Sequence, residues 1–144
     1  MTIWEEDGQI DTSELNSILS NRYIQKYGWI VVYFWTSEKW DKQKILEQTA
    51  FTYYNEIYKI SNGIPKNLHD ILKQVGESLN FSNKIHEDLT SELQEITSKI
   101  ISPMSNSTMY KDFISCLYGD IASTQLGYGE RGLPVNAGFY YAKN

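Results

Sequence analysis

The sequence predicts a mainly α-helical protein, a single-domain bundle of about five helices with a small two-stranded β element. Apolar residues recur at steps of three and four along most of the chain, which is the spacing of a helix with one buried face. Capping residues, glycines and prolines separate these segments. With 144 residues and 41% hydrophobic content the chain can form one core and is short for two, so we expect one domain over residues 1–144.

The first predicted helix begins at Asp11. The sequence "DTSE" places Asp11 three residues before Glu14, which is the spacing of a capping box. Apolar residues follow at helical spacing as far as Tyr27, and Gly28 can adopt the left-handed conformation that ends a helix. The predicted apolar face consists of Leu15, Ile18, Leu19, Tyr23 and Tyr27.

Residues 29–35, "WIVVYFW", are β-branched or aromatic and show no helical period. Strand propensity therefore predicts a buried strand, and a segment inside a central helix is the alternative. Near the C-terminus, residues 137–142, "AGFYYA", follow a glycine-rich stretch. We expect them to form a second short strand that pairs with 29–35.

The second predicted helix is capped by Thr36 or Ser37 and ends near Ser61, before Gly63. It carries two apolar stripes that leave little of its circumference for water, so we expect it to be the central helix of the bundle. One stripe consists of Leu46, Ala50, Tyr53 and Ile57, and the other of Phe51, Tyr54 and Tyr58.

Three more helices complete the predicted bundle. Asn67 and Ser82 are expected to cap two of them, "SPMSNS" is a predicted loop, and the last helix runs from Tyr110 to Ile121. The predicted buried face of the helix after Asn67 is Leu68, Ile71, Leu72, Val75 and Leu79. That of the helix after Ser82 is Ile85, Leu89, Leu93, Ile96 and Ile100.

Composition indicates where the protein is located and which role its cysteine has. The longest apolar run, 29–35, is far shorter than the roughly 20 residues that cross a bilayer. The N-terminal "MTIWEEDGQ" has acidic residues where an export signal has basic and apolar ones. We therefore expect a cytoplasmic protein with no membrane association. Cys116 is the only cysteine, so no internal disulfide forms, and its apolar neighbours predict a buried structural thiol.

The net charge of −5 is concentrated at the N-terminus. Five acidic residues come before the first basic one, and the other 13 acidic residues equal the 13 Lys and Arg in number. This asymmetry disfavours nucleic acid as a partner and favours a basic protein. A solvated acidic segment that leads into a helix explains the same residues without a partner, because the helix dipole favours negative charge near the N-terminus. The five acidic residues are Glu5, Glu6, Asp7, Asp11 and Glu14.

The sequence "GYGERG" over 127–132 matches the G-x-G-x-x-G pattern of a dinucleotide-binding turn. Such a turn lies between a strand and a helix whose N-terminus faces the phosphates. Here the upstream segment is a predicted helix, and Pro134 and Gly138 are expected to interrupt any helix downstream. No acidic ribose ligand follows about 20 residues later. We therefore expect no nucleotide to bind this stretch.

The sequence "DGQIDTSE", from Asp7 to Glu14, resembles the second half of an EF-hand calcium loop. The first ligand position falls on Ile3, which has no side-chain oxygen. An Asp-Gly turn leading into a capped helix explains the residues without calcium. His69 and His86, the only histidines, lack ligand spacing and are expected to be solvated. We therefore predict no metal ion, no cofactor and no catalytic residue.

Eleven tyrosines and four tryptophans exceed what a core of this size buries completely, and both residue types are frequent at protein interfaces. Size, charge asymmetry and aromatic content favour a non-enzymatic protein-binding domain, by analogy with immunity proteins and antitoxins that block a cationic toxin. The predicted partner-binding residues are Trp4, Glu5, Glu6, Asp7, Asp11 and Tyr23.

The alternative is a helical bundle that holds an apolar small molecule, or an enzyme whose site combines Tyr, Glu and Arg131 side chains. An enclosed cavity lined by tyrosines around a buried charge would favour this alternative. A filled core with exposed aromatic residues beside the acidic segment would favour protein binding.

Overall fold

The computed structural model describes residues 12–36, 38–85 and 87–144. Over these residues the chain forms α-helices, one 3-10 turn at Ser102–Met104, and no strand. The prediction of a mainly α-helical bundle is therefore confirmed. The helices are α1 Ser13–Ile18, α2 Arg22–Tyr27, α3 Lys42–Asn62, α4 Leu68–Ser82, α5 Ser91–Ile101, α6 Tyr110–Tyr118, α7 Asp120–Gln125 and α8 Ala137–Lys143.

The chain divides into two compact units. Unit 1 comprises the chain up to Pro65 together with Ser78–Lys84, and unit 2 comprises Lys66–Glu77 and Ile85–Asn144. Helix α4 contributes its first part to unit 2 and its last part to unit 1. The expectation of one domain over residues 1–144 stays a prediction. No helix within the described residues is both long enough and apolar enough to cross a membrane.

In unit 1, the first predicted helix is two helices, α1 and α2, separated at Leu19–Asn21. Ser20 and Asn21 lie at the break, and the Ser20 hydroxyl accepts a hydrogen bond from the Arg22 backbone N–H at 3.2 Å. Such local side-chain bonds compete with a continuous helix. The predicted end at Gly28 is confirmed, since this residue has φ 68° and its N–H donates to the Ile24 carbonyl.

Helix α3 begins later than predicted. Asp41 caps it, because its carboxylate accepts from the Lys44 N–H at 2.8 Å, whereas Thr36 precedes the helix by several residues and Ser37 lies outside the described residues. The predicted end is confirmed at Gly63, which has φ 81°.

The expectation that α3 is the central helix is wrong. Leu46, Tyr53 and Ile57 of the first predicted stripe are exposed, and Phe51 of the second stripe is buried. The buried face is otherwise mostly polar. Hydrogen bonds within unit 1, such as those of Gln48 and Asn55, make the burial of these polar side chains possible. The buried residues of α3 are Glu47, Gln48, Phe51, Thr52, Asn55, Glu56 and Lys59.

The predicted two-stranded element is also wrong. Residues 137–142 lie within helix α8, and 29–35 have no regular structure. In a sheet, a neighbouring strand would donate hydrogen bonds to the carbonyls of the 29–35 segment. Here side chains donate instead: Gln48 donates to the Tyr33 carbonyl and Trp40 to the Trp35 carbonyl. Tertiary contacts thus override the strand propensity of both segments.

In unit 2, α6 packs against α7 and α8, and α5 packs against α8. The apolar face predicted for α4 is confirmed, because all five residues are buried. The following helix begins at Ser91 with Thr90 as its cap, and Ser82 lies at the end of α4 instead. Leu93 and Ile96, predicted as core, are exposed, while Thr97 and Ile101 are buried.

Glycines allow close approach of the backbone in unit 2. At Gly119, where α6 ends, an added Cβ would lie 2.1 Å from the Pro134 carbonyl oxygen. The last predicted helix is therefore divided there into α6 and α7. Gly138 lies inside α8 and does not interrupt it, contrary to expectation. A Cβ at this position would lie 2.4 Å from the Cys116 carbonyl oxygen.

We expect Gly138→Ala to lower the free energy of unfolding by about 2 to 3 kcal/mol, although alanine favours helix, because the new methyl group overlaps the α6 backbone. Gly28→Ala provides the comparison: its φ is positive but no atom lies within 4 Å, so only backbone strain of about 1 kcal/mol is added. Urea denaturation of both variants measures the two costs. Equal losses would contradict the proposed close packing of α8.

Candidate functional site

The strongest candidate site in unit 1 is a cleft of about 280 Å³ beside α1 and α2, which we call the aromatic cleft. Its apolar wall contains Tyr23, Trp29, Val31 and Tyr33, and its polar wall contains Ser13, Asn16, Ser17, Ser20, Asn21, Arg22 and Glu56. Hydroxyls, amides and a guanidinium thus face aromatic rings. A surface of this composition suits an amphipathic partner better than a purely apolar one.

Lys59 and Glu56 form a buried ion pair next to this cleft. Lys59 Nζ lies 2.7 Å from Glu56 Oε1, and the Lys59 side chain is completely buried. The same ammonium donates to the carbonyls of Ser17 at 2.7 Å and Ser20 at 2.5 Å. All three donors are therefore used, and α3 is joined to the end of α1.

Burial lowers the pKa of Lys59 from 10.5, and the hydrogen bond and charge of Glu56 oppose this shift. The unfolded chain consequently binds more protons than the folded chain at pH values between the lowered pKa and 10.5. Across that interval the contribution of Lys59 to the free energy of unfolding rises with pH.

Aromatic side chains next to the cleft are exposed and ordered by one another. Trp29 is 61% exposed, and its ring stacks on Tyr27 with centroids 4.9 Å apart. The Lys26 ammonium lies 5.1 Å from the centre of the Tyr27 ring, within the range of a cation–π contact. Tyr23 is exposed on the same helix, α2. Three large aromatic side chains within seven residues thus face solvent.

Of the residues predicted to bind a partner, Tyr23 lies in the aromatic cleft. The other five, Trp4, Glu5, Glu6, Asp7 and Asp11, lie outside the described residues. Trp29 was not among the predicted partner-binding residues, and Tyr27 was predicted on a buried face, whereas both side chains are exposed. The signal for Trp29 was its position directly after Gly28, where a helix ends and side chains often become exposed.

Glu14, one of the five N-terminal acidic residues to which the net charge was assigned, is paired with a lysine. It is buried, and its Oε1 atom accepts from Lys84 Nζ at 3.0 Å. The Lys84 ammonium also lies 4.5 Å from the centre of the Phe51 ring. Thr12 is the N-cap of α1 and makes no side-chain cap bond. Glu14 therefore holds Lys84 in unit 1, while the other residues of the EF-hand-like stretch before Thr12 lie outside the described residues.

The glycine-rich stretch 127–132 follows helix α7, as the sequence predicted. Its Arg131 and Gly132 N–H groups both donate to the Asp120 carboxylate at 2.8 Å. In a phosphate-binding turn, backbone N–H groups point at the ligand. Here Asp120 occupies that place. Gly129 and Gly132 have positive φ values, as is common in turns. The stretch follows a helix, α7, and is followed by a loop, whereas a dinucleotide-binding turn connects a strand directly to a helix.

Arg131 lies in an ion pair rather than in a group with tyrosines. Its Nη2 atom donates to Asp112 Oδ1 at 2.6 Å, and Asp112 also accepts from the Ser107 hydroxyl. Cys116 is buried nearby, with Sγ 3.7 Å from the Met104 sulfur. Burial raises the pKa of Cys116 to about 11, so the thiol stays protonated at neutral pH. The predicted structural role of this cysteine fits its burial.

Unit 2 contains a groove of about 520 Å³. Its lining includes Leu72, Lys73, Leu89, Thr97, Ser98 and Tyr141. The Thr97 hydroxyl is buried and has no hydrogen-bond partner among the described residues. His69 is exposed at the groove, and His86 lies outside the described residues. Within the described chain, no three His, Cys, Asp or Glu side chains are grouped to hold a metal ion.

No protein-family model, no curated protein and no solved structure matches this chain. Function is therefore inferred from the residues and their geometry. The aromatic cleft combines exposed anchors with polar groups, while the groove of unit 2 combines a larger volume with a buried hydroxyl that lacks a partner.

We expect Lys59→Met to lower the free energy of unfolding by about 3 to 5 kcal/mol, because it leaves Glu56 buried without its cation. The matched control is Lys99→Met, whose ion pair with Glu95 is exposed and should contribute less than about 1 kcal/mol. Urea titrations at several alkaline pH values should also show a smaller rise in stability with pH for Lys59→Met than for wild type. Similar losses in the two variants would contradict the buried role of Lys59.

We expect NAD and ATP to leave the melting temperature unchanged, because the N–H groups that would meet a phosphate are bound to Asp120. Asp120→Ala should lower the free energy of unfolding by about 1 to 3 kcal/mol and create no nucleotide response. Asp70→Ala is the control, since Asp70 accepts one backbone N–H, that of Lys66. Thermal unfolding with and without nucleotide measures both effects; a saturable stabilisation of the wild type would refute the expectation.

Proposed function

We propose that the protein is a non-enzymatic binding domain whose unit 1 binds a basic protein partner through the aromatic cleft and the acidic N-terminal segment. The exposure of Tyr23, Tyr27 and Trp29 beside the cleft supports this proposal most directly. Exposed tyrosine and tryptophan offer large apolar area with a polar tip, the chemistry of interface anchors. Exposed aromatic residues are also one part of the arrangement that favours protein binding over the alternative of an enclosed site.

The stacked pair of Tyr27 and Trp29 lowers the cost of binding. Each ring restricts the rotamers of the other, and Lys26 lies against Tyr27. A side chain already ordered in the free protein loses less conformational entropy when a partner covers it. The hydroxyl and amide groups of the opposite wall supply hydrogen bonds at the rim of such an interface.

The acidic segment supplies the charge in this proposal. Glu5, Glu6, Asp7 and Asp11 precede Thr12 in the sequence, and Ser13 lines the aromatic cleft. Glu14 contributes no free charge because Lys84 pairs with it. Since α2 carries Arg22 and Lys26, a basic partner is expected to place its cations toward the acidic segment and its apolar groups on the aromatic side.

The proposed biological role is the inhibition of a cationic toxin, by analogy with immunity proteins and antitoxins. The analogy rests on chain length, charge asymmetry and exposed aromatic residues. A cytoplasmic location stays a prediction from the sequence.

A second function, binding of a small molecule in unit 2, is supported by the groove beside Thr97. Its volume of about 520 Å³ falls within the range of ligand pockets, and Leu72 and Leu89 give it apolar walls. The buried Thr97 hydroxyl has an unmet hydrogen-bonding capacity that a ligand could satisfy. Only Tyr141 among its lining residues is a tyrosine, so it differs from the enclosed tyrosine-lined cavity that the alternative envisaged.

The steering role of the acidic segment is testable once a partner has been isolated by affinity purification. We expect Glu5→Gln, Glu6→Gln and Asp7→Asn together to slow association and flatten its salt dependence, because exposed charges act mainly on the association rate. Trp29→Ala should instead speed dissociation, since a desolvated anchor is lost. Stopped-flow or surface plasmon resonance measurements at several salt concentrations separate the two rates.

The matched control replaces three exposed acidic residues of unit 2, Glu87, Glu92 and Glu130, by glutamine. It changes the net charge by the same amount at a distant place in the sequence. If both triple variants slow association equally, net charge rather than the N-terminal segment attracts the partner. If neither changes the rate, the acidic segment is only a solvated approach to α1.

A further inference from the structure

Helix α3 presents a continuous apolar stripe to solvent. Leu46, Ala50, Tyr53, Ile57 and Ile60 follow one another at steps of four, three, four and three residues. Leu46 is 56% exposed and Ile60 63%, and Tyr53 and Ile57 are exposed as well. An average step of 3.5 residues keeps such a stripe on one side of the helix, as in the seam of a coiled coil.

Turning the stripe toward the interior of unit 1 would break hydrogen bonds of the buried polar side of α3. The opposite side of α3 holds Lys59, Glu56 and Asn55 in hydrogen bonds, of which those of Lys59 reach the carbonyls at the end of α1. Rotating the helix would remove the Lys59 ammonium from the carbonyls of Ser17 and Ser20 and leave buried polar groups unpaired. Unit 1 therefore fixes the apolar side of α3 outward, the reverse of an ordinary surface helix.

The stripe is large for a surface that stays in water. From Leu46 to Ile60 it extends about 21 Å at the helical rise of 1.5 Å per residue. Its exposed area is roughly 400 Å², within the range of the largest apolar patches on monomers, many of which are functional. Two such stripes with their flanking residues would bury roughly 1,000 Å², which is the lower end of specific interfaces.

The residues that flank the stripe favour a second copy of this chain as its occupant. In coiled coils, charges beside the apolar seam select a particular partner. Two charged residues beside this stripe, Glu47 and Glu56, are buried in unit 1. The flanking residues that solvent reaches, Thr49, Tyr54 and Ser61, carry no charge. A second copy offers the same apolar spacing, and a two-fold axis makes the surface self-complementary. Ala50 and Tyr53 also give neighbouring small and large side chains that can face each other across the axis.

Charges at the start of α3 decide the orientation. Lys39, Lys42 and Lys44 are exposed around its N-terminus. In a parallel pair, these three cations of one copy would lie beside the same three of the other. In an antiparallel pair they lie beside the carbonyl end of the other helix, where positive charge is favoured.

We propose that two copies of the chain associate through the outward stripe of α3, with the two α3 helices antiparallel. This surface is separate from the aromatic cleft, and the proposal does not rest on the function of that cleft. The modest area predicts a weak dimer that dissociates on dilution.

Sedimentation equilibrium over a wide concentration range tests the association. For the wild type, the average mass should rise from 16.7 kDa toward twice that value with concentration. Ile60→Glu should weaken the dimer by about tenfold or more, because the carboxylate would be buried in the seam. The control is Ile121→Glu on α7, where an isoleucine of similar exposure, 55%, lies outside the stripe. Circular dichroism verifies that both variants are folded.

Cross-linking tests the orientation in a Cys116→Ser background. A short bismaleimide should join Lys42→Cys chains to Ser61→Cys chains in a mixture, and should not join Lys42→Cys chains to each other. A wild type that stays monomeric at all concentrations, or equal weakening by Ile60→Glu and Ile121→Glu, would overturn the proposed surface. Preferential cross-linking of Lys42→Cys chains with one another would overturn the antiparallel arrangement.

Discussion

The buried ammonium of Lys59 is the contact on which the arrangement of unit 1 depends. It joins Glu56 on its own helix to the carbonyls of Ser17 and Ser20 at the end of α1. A buried cation without these acceptors would be strongly unfavourable, so the polar side of α3 must face inward. As a result, α1 and α2 are held where their residues line the aromatic cleft, and the apolar stripe of α3 faces solvent.

Two surfaces of unit 1 thus have the same structural origin and different chemistry. The aromatic cleft combines Tyr23 and Trp29 with hydroxyl and amide groups, which suits an amphipathic protein partner. The α3 stripe is apolar along its length, and its exposed flanking residues carry no charge, which suits another copy of itself. Unit 2 is stabilised by other means, namely glycines that admit close backbone contacts and the carboxylate of Asp120 that holds the glycine-rich loop.

Local signals in the sequence predicted features that neighbouring residues alone control. Gly28 and Gly63 end helices as expected, since each has a positive φ that glycine adopts at little cost. Asn67 caps α4, because its side chain accepts from the Asp70 N–H three residues later. Of the candidate site, Tyr23 could be predicted from its residue type. Trp29 was missed because β-propensity assigned residues 29–35 to a buried strand, and this outweighed the signal of its position directly after Gly28.

By itself, the sequence determined the helical class, the helix ends at Gly28 and Gly63 and the apolar face of α4, because periodicity and capping act within a few residues. Only the tertiary structure decided which side of α3 is buried, that 137–142 are helical, and that Glu14 pairs with Lys84, 70 residues away. Apolar spacing marks a stripe and does not tell whether that stripe meets its own core or another molecule. In α3, the long-range hydrogen bonds of Lys59 determine which side faces inward, and no local pattern encodes them.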